Sequence, residues 1–391
     1  MTLELPVIAR VAAALVVALL ISFISTPVVK SIAQRVGAMD IPKDNRRMHH
    51  HPIPRMGGLA IFLGFLLSAL IFVPMDQANR GMLLWAVVIV ILGIFDDIYA
   101  LPALPKLLVQ IGAALIAVLH GNVIEVLSNP NLFSENPYWN LGSLAIPLSV
   151  IWIVAITNAV NLIDGLDGLA VGVATISSLT MLVIAMLVSD GMVALMMAAL
   201  AGGCIGFMPY NMNPAKIFMG DTGSTFLGFI LAVVSIQGLF KFYTIISFAV
   251  PFLMLGLPLF DTCFAILRRL SKGQSPMAPD RSHVHHRLID MGFSQKQAVA
   301  ILYVVSAILG LSAVVLTTSG ALKAIVLLCA LCLAGVISAK IFLSNHNDSH
   351  KEPIEQPKEE DSHAPESHDD LRDPAGGSED GPPGEGAGKQ D

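Results

Sequence analysis

Asp96 and Asp97 close an apolar run that reads Gly-Ile-Phe-Asp-Asp. Carboxylates at a membrane boundary are costly and usually serve function. Adjacent acids also repel, which raises one pKa and suits a proton acceptor or a metal-linked base. A solvated helix end is the plain alternative. A second cluster reads Asn158-Ala-Val-Asn161-Leu-Ile-Asp164-Gly-Leu-Asp167-Gly168. Its glycines permit tight turns and close approach of a ligand. Asp164 and Asp167 are three apart and share a face if the segment is helical. A calcium loop needs acids at alternate positions, so this is not one. Helix capping would use one of these acids and leave the other polar groups unexplained.

The third cluster reads Asn211-Met-Asn-Pro-Ala-Lys-Ile-Phe218-Met-Gly-Asp221-Thr-Gly-Ser224. Asp221, Thr222 or Ser224 could cap the helix that follows. A glycine-bearing helix start also suits a phosphate or a metal–phosphate pair. Hard oxygen ligands in small number suit magnesium, which keeps waters and shares substrate phosphates. Phe218 either stacks on a base or fills the core. The fourth cluster, Pro279-Asp-Arg281-Ser-His283-Val-His285-His286-Arg287, is cramped for zinc and has no cysteine nearby. Neutralising a diphosphate, with arginine forks on its oxygens, fits it better; a solvated loop is the alternative. The fifth, Arg46-Arg47-Met-His-His-His51-Pro-Ile-Pro54-Arg55-Met-Gly57-Gly58, reads as a shaped anion-binding loop, although its charges also serve membrane topology. Asp261 either pairs with Arg268 or joins the site.

These clusters sit between apolar runs. Eleven stretches approach the ~17–25 residues that a spanning helix needs: 6–29, 56–74, 81–98, 104–120, 143–160, 168–188, 191–209, 223–240, 243–267, 297–317 and 321–343. The chain is 54% hydrophobic and 13% charged over 391 residues, so lipid must be its main solvent. We therefore expect an all-α, polytopic membrane protein: a transmembrane catalytic domain over 1–343 and a disordered acidic tail over 344–391. The first run is too long for a signal-peptide core and reads as a retained helix. Cys204, Cys263, Cys329 and Cys332 lie in apolar runs and read as small buried hydrophobes. The tail histidines (His346, His350, His363, His368) read as unspecific. No basic domain points to nucleic acid. Lys and Arg concentrate in loops 30–55 and 268–296 and are missing from 121–142. Those two loops, the polar clusters and the tail are thus expected on the cytosolic side, with the N-terminus outside.

Acids for a metal, cations for phosphates, glycines for close approach and a lipid-facing body together describe phosphoryl transfer between a soluble nucleotide and a lipid phosphate. A transporter would place its acids near the bilayer midplane. An intramembrane aspartyl protease would leave the Asp-Asp and histidine clusters unexplained.

Over about residues 30–295 the five clusters, in order, resemble the polyprenyl-phosphate N-acetylhexosamine-1-phosphate transferases, which include phospho-N-acetylmuramoyl-pentapeptide transferase. The resemblance implies that Asp96 deprotonates the lipid phosphate, with Asp97 beside it. It implies that Asp221 binds magnesium (manganese being the alternative). Asn161, Asp164 and Asp167 would line the nucleotide and diphosphate site, with Asn211 as a further site residue. Phe218 would stack on uracil, and Lys106, in Pro-Lys-Leu-Leu-Val-Gln, would lie near the phosphates. Arg281, His283, His285 and His286 would form the histidine motif. The pentapeptide transferase carries three consecutive histidines there; His-Val-His-His looks like the GlcNAc-1-phosphate group. Arg47 stands where many relatives have Lys. The implied partners are a UDP-N-acetylhexosamine, undecaprenyl phosphate and the bilayer of the cytoplasmic membrane. The pattern admits a homodimer.

Overall fold

A computed structural model of the protein describes residues 5–42, 51–128, 136, 138–238, 249–273 and 283–319. The expected last span 321–343, the tail, Cys329, Cys332, Arg46, Arg47 and Arg281 lie outside the described residues.

The chain is built from helices, because a backbone in lipid must satisfy its own hydrogen bonds. They are α1 (Leu5–Val36), α2 (Gly58–Phe72), α3 (Gln77–Tyr99), α4 (Ala103–Leu119), α5 (Ala145–Leu162), α6 (Leu169–Leu187), α7 (Gly191–Asn211), α8 (Gly220–Gly238), α9 (Ala249–Met254), α10 (Gly256–Ser271), α11 (Val284–Asp290) and α12 (Gln295–Ser319). Six of the described helices are long and apolar enough to cross a membrane; α2 and α4 are shorter apolar helices. Local chemistry sets several ends. Asp76 caps α3 by accepting the Asn79 amide at 2.8 Å, and Asp190 caps α7 by accepting that of Val193 at 3.1 Å. Ala100, in left-handed conformation, ends α3 and returns its amide to the Asp96 carbonyl.

Helix α8 is the centre. It packs on α2, α3 and α5, and nearly every residue along it is buried. Its neighbours come unusually close because glycines face it. A Cβ on Gly58 would lie 2.0 Å from the Gly223 Cα, and one on Gly93 would lie 2.4 Å from the Thr222 Cα. Small residues at contacts let helix backbones approach where lipid gives no hydrophobic drive for association. Outside this core, α1 packs on α2 and α7, and α6 packs on α7 and α12. Ile24 and Val28 of α1 and Leu104 and Leu108 of α4 turn outward, as lipid solvent allows.

Three features refine the expectations. The described part of the run 243–267 is two helices, α9 and α10, that meet at Leu255, with the Leu255 amide still donating to the Pro251 carbonyl and the Leu259 amide to the Leu255 carbonyl. The loops after α1 and α4 hold two short antiparallel ribbons, β1 (Met39–Asp40) with β2 (Ile53–Pro54), and β3 (Val126–Ser128) with β4 (Tyr138–Asn140). Finally, Cys204 is buried as expected but Cys263, on α10, is exposed.

Candidate active site

The C-terminus of α3, the first turn of α4, the end of α5, the 163–168 loop and the start of α8 meet at one end of the bundle. Lys106 ties them together. Its Nζ donates to Asp96 Oδ2 at 2.6 Å and to Asp221 Oδ2 at 3.2 Å. Asp96 Oδ1 accepts the Leu101 amide at 2.7 Å, which fixes the chain leaving α3. Asn161 Nδ2, on the last turn of α5, donates to Asp221 Oδ1 at 3.0 Å and to the Ser224 hydroxyl at 2.8 Å. Asp221 keeps 22% of its side chain exposed, so this carboxylate stays open to a ligand.

Asp97 is built differently. Its side chain is fully buried, and its oxygens accept the Asp221 amide (3.0 Å), the Thr222 amide (3.1 Å) and the Thr222 hydroxyl (2.6 Å). It therefore caps α8 from a neighbouring helix and complements the positive end of that helix's dipole. Gly220 allows this approach. It has φ +72°, and a Cβ there would lie 2.3 Å from Asp97 Oδ2. Arg55 Nε completes the shell, 3.4 Å from Asp97 Oδ1.

Asp164 lies in the loop after α5. Burial, then the nearby Asp221 and Asp97 carboxylates, push it up to about 8. Asp167, three residues on, is engaged differently. Asp167 Oδ2 accepts from Asn213 Nδ2 and from the Ala215 amide, both at 3.0 Å, and so anchors the 212–216 loop. Asn211 is a staple too: its Oδ1 accepts the Gly168 amide and its Nδ2 donates to the Ile217 carbonyl. Phe218 is half-buried, and its backbone pairs with Pro54 and Gly57. The Gly57 and Gly58 amides donate to the Phe218 and Met219 carbonyls. Those two amides are thus used within the chain and the glycines serve close packing, which leaves the Arg55 side chain as the described group of this loop that could meet an anion.

The histidine cluster joins from α11. His283 Nδ1 lies 2.9 Å from Asp261 Oδ2, and the Val284 amide donates to Asp261 Oδ1 at 2.9 Å. Asp261 thus belongs to the histidine motif and not to Arg268, which lies over the Phe264 ring. His285 is buried, with neither ring nitrogen hydrogen-bonded among the described residues, and its Nε2 lies 2.2 Å from where a Gly165 Cβ would stand. Burial, helped by His286, lowers its pKa to about 4, so the ring is neutral. His286 tilts against His285 with ring centroids 4.3 Å apart. A neutral imidazole thus packs against Gly165, beside Asp164.

Two contributors escaped the sequence reading. Gln110 of α4 accepts from Asn158 at 2.7 Å, and Tyr303 of α12 donates its hydroxyl to the Gly168 carbonyl. Neither carries a local signal, since a Gln or a Tyr on an apolar helix reads as a tolerated polar residue. Arg55 was visible within the anion-loop pattern, but its pairing with Asp97 was not.

Among the described residues no three His, Cys, Asp or Glu side chains form a metal cluster. Magnesium does not need one: one or two carboxylates with waters and substrate phosphates suffice. The oxygen donors of Asp221 and Asp164 fit that chemistry. Asp164, its pKa raised by burial and by neighbouring carboxylates, marks a place where a cation would relieve excess negative charge.

The sequence model of glycosyl transferase family 4 matches residues 79–239. That segment holds every site acid from Asp96 to Asp221. The chain is 44% identical over 313 residues to a probable undecaprenyl-phosphate N-acetylglucosaminyl 1-phosphate transferase of Bacillus subtilis, covering 79% of this chain and 86% of that protein. It is 34% identical over 320 residues to the decaprenyl-phosphate N-acetylglucosaminephosphotransferase of Mycobacterium tuberculosis (73% and 77% covered). It is 32% identical over 318 residues to a Staphylococcus aureus phospho-N-acetylmuramoyl-pentapeptide-transferase (75% and 95% covered). With these matches spanning the helices and acids just described, the chain belongs to glycosyl transferase family 4, as a polytopic membrane enzyme that transfers a sugar phosphate.

Proposed function

We propose that the enzyme moves N-acetylglucosamine 1-phosphate from UDP-N-acetylglucosamine to undecaprenyl phosphate and releases UMP, at the cytosolic face of the cytoplasmic membrane. The observation that carries this reading is the Lys106 bridge between Asp96 and Asp221, at the end of a lipid-facing bundle, in a chain 44% identical to a transferase of that name. The arginines that end α1 and α10, Arg35, Arg268 and Arg269, belong to the basic loops, which supports a cytosolic orientation.

In the reaction an oxygen of the lipid phosphate attacks the β-phosphorus of the nucleotide sugar. A P–O bond forms, and the bond from the β-phosphorus to the bridging oxygen breaks, so UMP leaves with that oxygen. Lys106 receives the phosphate oxygens, and Asp96 holds its ammonium and takes any proton the lipid phosphate carries. Asn161 orients Asp221, and Asp97 positions both by capping α8. Phe218 stacks on the base; His285 packs against Gly165, with His283 held by Asp261 and His286 tilted against His285 at the edge of the site. Asp221, with Asp164, would hold a magnesium ion, which when bound neutralises charge on the diphosphate. Catalysis then rests on positioning and charge neutralisation.

The test is purified protein with magnesium and undecaprenyl phosphate against a panel of UDP-sugars, scored for UMP. Release with UDP-N-acetylglucosamine that depends on the lipid supports the reading. No UMP from any donor, or release independent of lipid phosphate, removes it.

A further inference from the structure

We propose that Arg55 binds the diphosphate of the nucleotide donor, so that the site divides its two fixed cations between two phosphorylated substrates. This rests on the reaction proposed above and names a binding residue within it.

Arg55 follows β2, and its backbone amide is held by the Ala38 carbonyl at 2.9 Å. On either side the chain is laddered to Phe218: the Phe218 amide donates to the Pro54 carbonyl at 2.8 Å, and the Gly57 amide donates to the Phe218 carbonyl at 2.9 Å. The root of the side chain is therefore rigid and fixed beside the residue assigned to the base. Only Nε is engaged, 3.4 Å from Asp97 Oδ1, and the side chain keeps 30% of its surface open. Among the described residues nothing takes the two terminal nitrogens. A guanidinium anchored through one edge with its fork free is the arrangement that grips a phosphate bidentately.

The two cations face different surroundings. Lys106 rises from the first turn of α4, where Leu104 and Leu108 are more than 60% exposed, and Tyr99 nearby is 67% exposed. A lipid phosphate would arrive along that apolar side. Arg55 reaches Asp97 from the loop laddered to Phe218, where a soluble nucleotide would lie. Asp97 serves both halves, because it caps the helix that bears Asp221 and fixes the arginine.

The experiment compares wild type with Arg55→Gln and Arg55→Lys. It measures kcat, the KM for UDP-N-acetylglucosamine and the KM for undecaprenyl phosphate, together with equilibrium binding of UDP and of uridine without lipid. Arg55→Gln should raise the donor KM and the UDP Kd roughly 10- to 100-fold, the worth of charge-assisted hydrogen bonds. The acceptor KM and the weak binding of uridine should stay within about twofold, since neither involves the contact. Arg55→Lys keeps the charge and the Asp97 pairing but lacks the fork, so it should recover only part of the donor affinity. It also carries the test if the Gln variant does not fold. An unchanged donor KM in an active variant overturns the assignment. So does an equal loss for both substrates with uridine binding weakened as well, which would mean that Arg55 acts only as a prop for Asp97. A wild-type protein that turns over no UDP-sugar overturns the proposed reaction instead, and the UDP-binding arm still decides whether Arg55 holds a diphosphate.

Discussion

Helices α3 and α8 run antiparallel, and each end of the pair is closed by polar side chains of opposite character. At one end Gln237 Nε2 donates to Asn122 Oδ1 (2.7 Å) and Asn79 Oδ1 (3.2 Å), while Asn122 and Asn79 donate to the Ala117 and Pro74 carbonyls. All three amides are buried, and the charges nearby, Asp76 and Arg80, are exposed. At the other end stand Asp96, Asp97, Asp221, Lys106 and Arg55. From Asn79 to Asp97 the rise is about 27 Å, close to the thickness of a bilayer core of roughly 30 Å. The amides pair with one another and with backbone carbonyls and carry no net charge, although among the described residues the Gln237 carbonyl oxygen is left over. The charged end holds more carboxylates than cations and is complete only with phosphate-bearing ligands and their counter-ion. The first end is a closure and the second is a site, and the contrast lies in charge balance, since both are buried and both are hydrogen-bonded.

Mutations should separate the two ends. The largest effect is expected for Asp221→Asn, which keeps the shape and removes the charge. UMP release should fall on the order of 1,000-fold or more, as for loss of a principal electrostatic group, while thermal stability in detergent stays near wild type. Undiminished turnover would strip Asp221 of its role. Asp97→Ala should damage stability as well as rate. It strands two amides, a hydroxyl and Arg55 in a buried place, at a cost of about 3 kcal/mol. Loss of turnover with wild-type stability would mean that Asp97 is chemical and not a cap.

A pH series gives the next effect. His285 has its pKa lowered from 6.5 to about 4, so between those values the unfolded chain binds a proton that the folded chain refuses. Stability from this group is fully present above 6.5 and is lost as pH falls toward 4, by about 1 kcal/mol one pH unit below 6.5. His285→Asn should lack that component, and parallel melting curves for the two proteins would reject it. The smallest effect is expected at the amide end. Gln237→Leu should cost about 1 kcal/mol with turnover per folded molecule unchanged. The cost is limited because, among the described residues, the Gln237 carbonyl oxygen has no partner to lose. A fall in turnover comparable to that of Asp221→Asn would erase the distinction between closure and site.

Much of this molecule can be read along the chain. Unbroken apolar runs dictate helices in lipid, and the acids at their ends mark where chemistry is exposed. The helices α2 to α8 fall where the runs predict, because hydropathy and backbone hydrogen bonding are local. The division of labour among the acids was beyond that reading. Asp96 and Asp97 are adjacent, yet one faces Lys106 and the other caps α8. Asp164 and Asp167 are three apart, yet one sits among carboxylates and the other anchors a loop. Asp261 could have paired within its own helix and instead holds His283. Residue type and spacing say that a carboxylate is present. Which donors reach its oxygens depends on the packing of helices far apart in sequence, here set by glycines that bring α2 and α3 against the start of α8.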